Sequence, residues 1–225
     1  MNSSNVKSIA LFVISNLICV MVILGCSPSD KNTHATSIQA EQINPADVKT
    51  YKLNNSSLQI AVPFEMKETP EEVQDMKNMN EARENEAVDQ ILIYKGTAQS
   101  GNVDVKIFAT DFNKEKIEGE MGEPFNPNIE GALQGAIAHL ANSEKFKSFK
   151  KKDPIRDITV NGMNGKEFTA SIEYKSNKDE EAGLSEVRMV AFLKGEEMWM
   201  VGALRDDSDD AKKVTDTIIN SIEIK

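Results

Sequence analysis

The run Met198-Trp199-Met200-Val201-Gly202-Ala203-Leu204, near the end of the chain, carries no polar side chain that is not aromatic. A strand that is apolar on both sides is stable in the middle of a sheet, with a layer of structure against each face. This requirement selects a layered fold. The flanking segments are also β in character. Residues 186–193 lead into the run through Lys194-Gly195-Glu196-Glu197, a turn-prone link that makes the two strands neighbours. Before them, Phe168, Ala170, Ile172 and Tyr174 alternate with Glu167, Thr169, Ser171 and Glu173, the period of a strand with one buried and one wet face. Residues 155–160 and 166–174 flank Asn161-Gly162-Met163-Asn164-Gly165, whose two Asn-Gly pairs suit positive φ in a hairpin loop.

The first half of the chain adds more pairs. Residues 51–53 and 58–62 read as strands separated by Asn54-Asn55-Ser56-Ser57, with Pro63 ending the second. Residues 90–94 and 102–110 read as a hairpin. In its second strand Val103, Val105, Ile107 and Ala109 are expected inward, and Asp104, Lys106, Phe108 and Thr110 outward.

Helices are expected in three places. Thr69-Pro70-Glu71-Glu72 has the form of a capping box, with Thr69 as N-cap and Glu72 three residues on. Pro127 and Asn128 open a helix whose Ile129, Leu133, Ala136, Ile137 and Leu140 form one apolar stripe, with Gly131 and Gly135 allowing close approach to the strands beneath. The third helix follows Asp206-Asp207-Ser208-Asp209-Asp210 and turns Ala211, Val214 and Ile218 inward, and residues 222–224 add a short closing strand. The four aspartates lack the glycine and terminal glutamate of a calcium loop, and they suit a helix N-terminus. Residues 111–128, acidic and containing Gly119, Gly122, Pro124 and Pro127, read as a long loop and a candidate binding rim.

The amphipathic helix runs into a stretch containing Lys145, Lys147, Lys150, Lys151 and Lys152, interleaved with Phe146 and Phe149. It admits two readings. The lysines complement a helix C-terminus and line a solvated loop, or they form a surface for an anionic membrane or an acidic partner.

Location is written at the other end of the chain. Met21-Val22-Ile23-Leu24-Gly25-Cys26 closes an apolar run that starts at Ile9, after the single charge of Lys7. This is the layout of a lipoprotein signal peptide cut before Cys26, which is then acylated. At about 16 residues the run is short for a spanning helix, which needs ~20. Leu24 stands where a small residue is more usual, and the alternative is a permanent N-terminal anchor. The expected organisation is a leader over 1–25, a flexible tether over 26–48 and one α/β domain over 49–225. A flexible tether of that length reaches roughly 25 Å on average.

Composition narrows the function. The net charge of -10 argues against broad nucleic-acid binding, which needs a positive face, and it does not hold the protein to anionic lipid. Both cysteines, Cys19 and Cys26, fall in the leader, so neither a disulfide scaffold nor a thiolate site is expected in the body. The two histidines, His34 in the tether and His139 beside the helix stripe, read as surface or boundary residues. No Gly-x-Ser-x-Gly elbow, His-Glu-x-x-His pair or phosphate-cradling glycine loop is present in the sequence. No catalytic residue, metal ligand or cofactor is assigned.

Ile60-Ala61-Val62-Pro63, the mid-chain amphipathic helix, the hairpin around Val160-Asn161-Gly162-Met163-Asn164-Gly165, the strand pair ending in Trp199 and the closing Ile218-Ile219-Asn220-Ser221-Ile222 together resemble bacterial lipoproteins of the PsbP-like class, including DcrB-like proteins. The resemblance implies an α+β fold, an antiparallel sheet between helices in an α/β/α sandwich, and an accessory or binding role without enzymatic activity. It supplies no ligand site that transfers to residues of this chain. The expectation is therefore a non-enzymatic, extracytoplasmic protein of the cell envelope. It is held at a membrane by lipid on Cys26 and binds another envelope protein, with no nucleic acid and no cofactor. The alternative is a small-molecule or metal-binding lipoprotein serving a transporter. Nothing in the sequence fixes an oligomeric state.

Overall fold

The computed structural model describes residues 48–62, 64–82, 88–98, 103–122, 124–144, 146–174 and 184–225; Cys26, the expected leader and tether, Pro63 and Lys145 lie outside them. In chain order, β1 (Val48–Leu53) and β2 (Ser56–Ala61) form a hairpin, and the two-residue β3 (Lys67–Glu68) leads into α1 (Pro70–Ala82). β4 (Val88–Ala98) and β5 (Val103–Phe112) follow, then α2 (Lys114–Met121) and α3 (Ile129–Ala141). Four strands come next: β6 (Phe146–Lys151), β7 (Arg156–Val160), β8 (Met163–Tyr174) and β9 (Leu184–Lys194). The chain closes with β10 (Glu197–Asp206), α4 (Asp209–Asn220) and β11 (Glu223–Ile224).

These elements make an α+β fold of antiparallel sheets and helices. The main sheet has the order β3-β4-β5-β10-β9-β8-β6, with β7 also pairing with β8, and a second sheet has the order β1-β2-β11. The apolar run occupies β10, paired on one side with β5 and on the other with β9. Alternation divides its side chains. Met198, Met200 and Leu204 join a core with Val73 and Met76 of α1, Ile117 of α2 and Ala132, Leu133, Ala136 and Leu140 of α3, on what we call the front face. Trp199, Val201 and Ala203 join a second core on the back face, made with Ala211, Val214, Ile218 and Ile219 of α4 and with Tyr51, Leu53, Leu58 and Ile60 of the small sheet.

Several expectations change in the structure. β5 is covered on both faces: Lys106, Phe108 and Thr110 are buried like Ile107 and Ala109 between them, because α1 and α2 roof the side expected to be wet. The 111–128 segment is not one loop. β5 continues to Phe112, Asn113 caps α2 by accepting from the Lys116 N–H at 2.9 Å, and Gly122 ends the helix in the left-handed region at φ 68°. At α1 the capping box does not form. The Thr69 N–H and hydroxyl both donate to the Ile93 carbonyl, at 2.9 and 3.2 Å, and Glu72 reaches across to lysines of the sheet. The lysine-rich stretch after α3 is the strand β6, not a helix end followed by a loop.

Asn128 caps α3 as expected, accepting from the Glu130 and Gly131 N–H groups, and Ser208 caps α4. Of the two Asn-Gly pairs only the first makes the turn, with φ 49° at Asn161 and 80° at Gly162. Gly165 lies within β8, under the ring of its cross-strand neighbour Phe192. A Cβ there would come within 2.6 Å of that ring and of the Ala191 carbonyl oxygen. Gly165→Ala is therefore expected to cost roughly 2 kcal/mol by overpacking. Exposed Gly119, in α2 with open space around its missing Cβ, should gain about 1 kcal/mol on replacement by alanine. Urea unfolding of the two variants checks both signs.

Candidate functional site

The back face is covered unevenly. α4 packs over β10 and β5, and the small sheet packs beside it, so the β8 end of the sheet carries polar rows where the cores end. Alternation sends Glu167, Thr169 and Ser171 of β8 to this side. The register then fixes their neighbours. Arg156 stands opposite Glu167, Arg188 opposite Thr169, and Glu186 opposite Ser171, with Arg205 beyond Glu186. From the outer edge, Lys150 stands opposite Ser171, and the Lys152 N–H donates to the Thr169 carbonyl at 2.9 Å.

Two carboxylates organise the cluster. Glu167 receives Arg156 through Nε and Nη2 on Oε1, both at 2.7 Å, and Arg188 through Nε and Nη2 on Oε2, at 2.9 and 2.8 Å. The remaining Nη1 of Arg188 donates to Asp216 of α4 at 2.6 Å. Glu186 is held between Arg205 and Lys152. Burial raises the Glu186 pKa, but the hydrogen bonds and charges of Arg205 and Lys152 outweigh it and leave the carboxyl below its ordinary value.

At Arg156 and Lys152 the bases lie outside and their acids inside, whereas the Arg188 and Arg205 side chains are only 16% and 7% exposed and that of Asp216 is 57% exposed. The Glu167 and Glu186 side chains are 3% and 5% exposed, whereas those of Arg156 and Lys152 are 64% and 42% exposed. Solvent on this side therefore meets cations held in place by anions it barely touches. Buried ion pairs repay their desolvation only with good geometry and further hydrogen bonds. The two-armed grip on Glu167 supplies both.

The lysines singled out in the sequence separate. Lys147 pairs with Glu173 at 2.7 Å, Lys152 belongs to the Glu186 cluster, and Lys150 and Lys151 are exposed with no ion pair among the described residues. The interleaved Phe146 and Phe149 pack into the front core. The Lys/Phe alternation is thus that of an edge strand, whose lysines also discourage pairing with another chain. Arg156, Arg188, Arg205, Glu167 and Glu186 are the residues that sequence reasoning missed. Each sits at an unremarkable alternate position, and only the register shows that Glu186 and Arg205 are directly opposed.

Other charged groups are placed differently. On the front face Glu72 of α1 bridges Lys95 and the buried Lys106, cross-strand neighbours on β4 and β5. At the far end of the sheet, burial and the nearby carboxylates of Glu197, Asp89 and Glu196 push the Asp111 pKa up. His139 is half-buried on α3, and burial lowers its pKa from 6.5, which favours the neutral imidazole at pH 7. Among the described residues no three potential His, Cys, Asp or Glu ligands gather at a metal site. No described helix is long and apolar enough to cross a membrane.

No family model matches the sequence, and no curated protein matches it. Among solved structures, the chain is similar to cyanobacterial PsbP (CyanoP) from Synechocystis sp. PCC 6803, with 6% identity, a TM-score of 0.47, and coverage of 88% of this chain and 100% of that one. It is also similar to LpqN, a protein involved in cell envelope biogenesis of Mycobacterium tuberculosis, with 11% identity, a TM-score of 0.42, and coverage of 79% and 90% respectively. At these scores the likenesses carry no argument about function.

The buried carboxylate at the centre of the cluster sets a stability expectation. Glu186→Gln strands the buried Arg205 guanidinium and should cost about 3 kcal/mol. Lys152→Gln, which removes an exposed partner, should cost less than about 1 kcal/mol. Because Glu186 titrates below its ordinary 4.5 in the folded state, its contribution is complete above pH 4.5 and is lost as pH falls through the lower folded value. Thermal unfolding between pH 7 and 3 checks this, with the acid-side loss smaller in Glu186→Gln than in the parent protein.

Proposed function

We propose that this protein is a lipid-anchored, extracytoplasmic accessory protein of the bacterial cell envelope, of PsbP-like or DcrB-like type, that works by binding and not by catalysis. The observation that carries the reading is the back face. Its charged residues are locked in pairs and present a fixed cationic surface, an arrangement suited to recognition, since groups committed to strong ion pairs are poor proton donors and acceptors near neutral pH. The sequence supports the location: the run ending at Gly25-Cys26 has the form of an acylation site, and the polar stretch after it suits a tether. The tether leads into β1, which belongs to the same back layer as α4, so an anchored molecule carries its attachment point on the cationic side of the main sheet.

The anchor is tested by metabolic labelling with palmitate. The wild-type chain should incorporate label and Cys26→Ala should not; equal labelling would remove the anchor. The binding role is tested by photo-crosslinking from Lys150 in intact cells. Recovery of one envelope protein, lost on reversing Arg156 to Glu, is the expected result, and an unchanged crosslinking pattern in that variant would contradict it.

A further inference from the structure

We propose that the back-face cluster is a binding site for a phosphate-type oxyanion, centred on Thr169 and Ser171 of β8 and flanked by Lys150, Lys152 and Arg156. The inference rests on the binding-protein reading and specifies its ligand chemistry. Successive residues on one face of a strand are about 7 Å apart, so Thr169 lies between Ser171, which has Lys150 opposite, and Glu167, which has Arg156 opposite, and the edge lysines and Arg156 flank the two hydroxyls. Among the described residues neither hydroxyl has a protein partner, and Thr169 and Ser171 are only half-buried. The cations are not loose surface charges. Glu167 fixes Arg156 by Nε and Nη2, which leaves Nη1 without a partner among the described residues, and Glu186 pairs with Lys152.

Charge balance points the same way. Four cations, Lys152, Arg156, Arg188 and Arg205, share three acids, Glu167, Glu186 and Asp216, Lys147 offsets Glu173 beyond Ser171, and Lys150 adds a charge with no ion pair among the described residues, all in a chain of net charge -10. An anion placed over Thr169 completes the neutralisation. The number of donors distinguishes phosphate from a carboxylate. A phosphate ester offers three strong acceptor oxygens and up to about two negative charges, which matches two hydroxyls, two ammonium groups and one guanidinium. A single carboxylate leaves several of these donors without an acceptor. Arg156 also supplies planar geometry that lysine lacks. The phosphate is free or is the phosphomonoester of a lipid headgroup, as in phosphatidic acid; three terminal oxygens and up to about two charges are common to both.

Isothermal titration of the full-length protein in non-ionic detergent, at pH 7 and constant ionic strength, tests the site with three probes: inorganic phosphate, glycerol 3-phosphate as the deacylated headgroup of phosphatidic acid, and acetate. Saturable binding of at least one phosphate probe is expected. It should be at least tenfold weaker in Arg156→Gln and in Arg156→Lys, and unchanged in Lys67→Gln at the opposite edge of the sheet. The tighter of the two phosphate probes identifies a free or a headgroup source. Acetate binding as tight as phosphate, equal weakening by Lys67→Gln, or no Arg156-dependent binding of either phosphate probe would overturn the proposal. Retained palmitate labelling with no phosphate binding would reject this site and leave the anchor standing, and the converse result would reject only the anchor.

Discussion

The structure depends on the burial of β5 and β10 from both sides. Two adjacent antiparallel strands with apolar side chains on each face require two cores. Helices α1, α2 and α3 close the front. The back is closed by a single amphipathic helix, α4, together with the three-stranded sheet, and these reach over β10 and β5 more fully than over β8. Where cover ends, a sheet must present polar groups that are either wet or paired. This chain uses Glu167 and Glu186 for the purpose, and the cationic face follows from that solution.

The consequence is a molecule whose charge is unevenly arranged. Its net charge is strongly negative, and at the far end of the sheet burial and crowding carboxylates raise the Asp111 pKa. At the β8 end of the back face the exposed Arg156 and Lys152 instead lie over Glu167 and Glu186, which solvent barely touches. Such a surface selects ligands by local geometry against the long-range field of the body, so association should be governed by close contacts more than by steering. The edge strand β6 contributes here as well. Its lysines guard an open sheet edge and at the same time border the oxyanion site.

Much of the architecture was legible from residue order. The doubly covered β10, the dry face of β8, the α3 stripe and the cap at Asn128 all follow from local periodicity and turn chemistry, whereas Glu167, expected on the wet face of β8, is buried between Arg156 and Arg188. The exceptions share a cause. Lys106 and Thr110 look like solvent positions because their burial depends on helix α1, which arrives from elsewhere in the chain, and Glu72 left its capping role to meet Lys106 and Lys95. Gly165 looks like a turn residue until Phe192 is placed over it. The cationic cluster was invisible for the same reason. Its residues come from strands β6 to β10 and helix α4, and no spacing within one segment encodes their meeting.

The central claim is that a buried carboxylate holds exposed cations in fixed positions. Hydrogen exchange at the Arg156 Nε–H, followed by NMR at neutral pH, tests it most directly. Arg156 is exposed enough that a free guanidinium there would exchange as rapidly as in a short peptide. With Glu167 accepting from Nε, exchange should be slowed at least tenfold, and the slowing should disappear in Glu167→Gln while Arg188 loses its protection in parallel. Peptide-like exchange at Arg156 in the unmodified protein would contradict the arrangement and remove the basis for the cationic face.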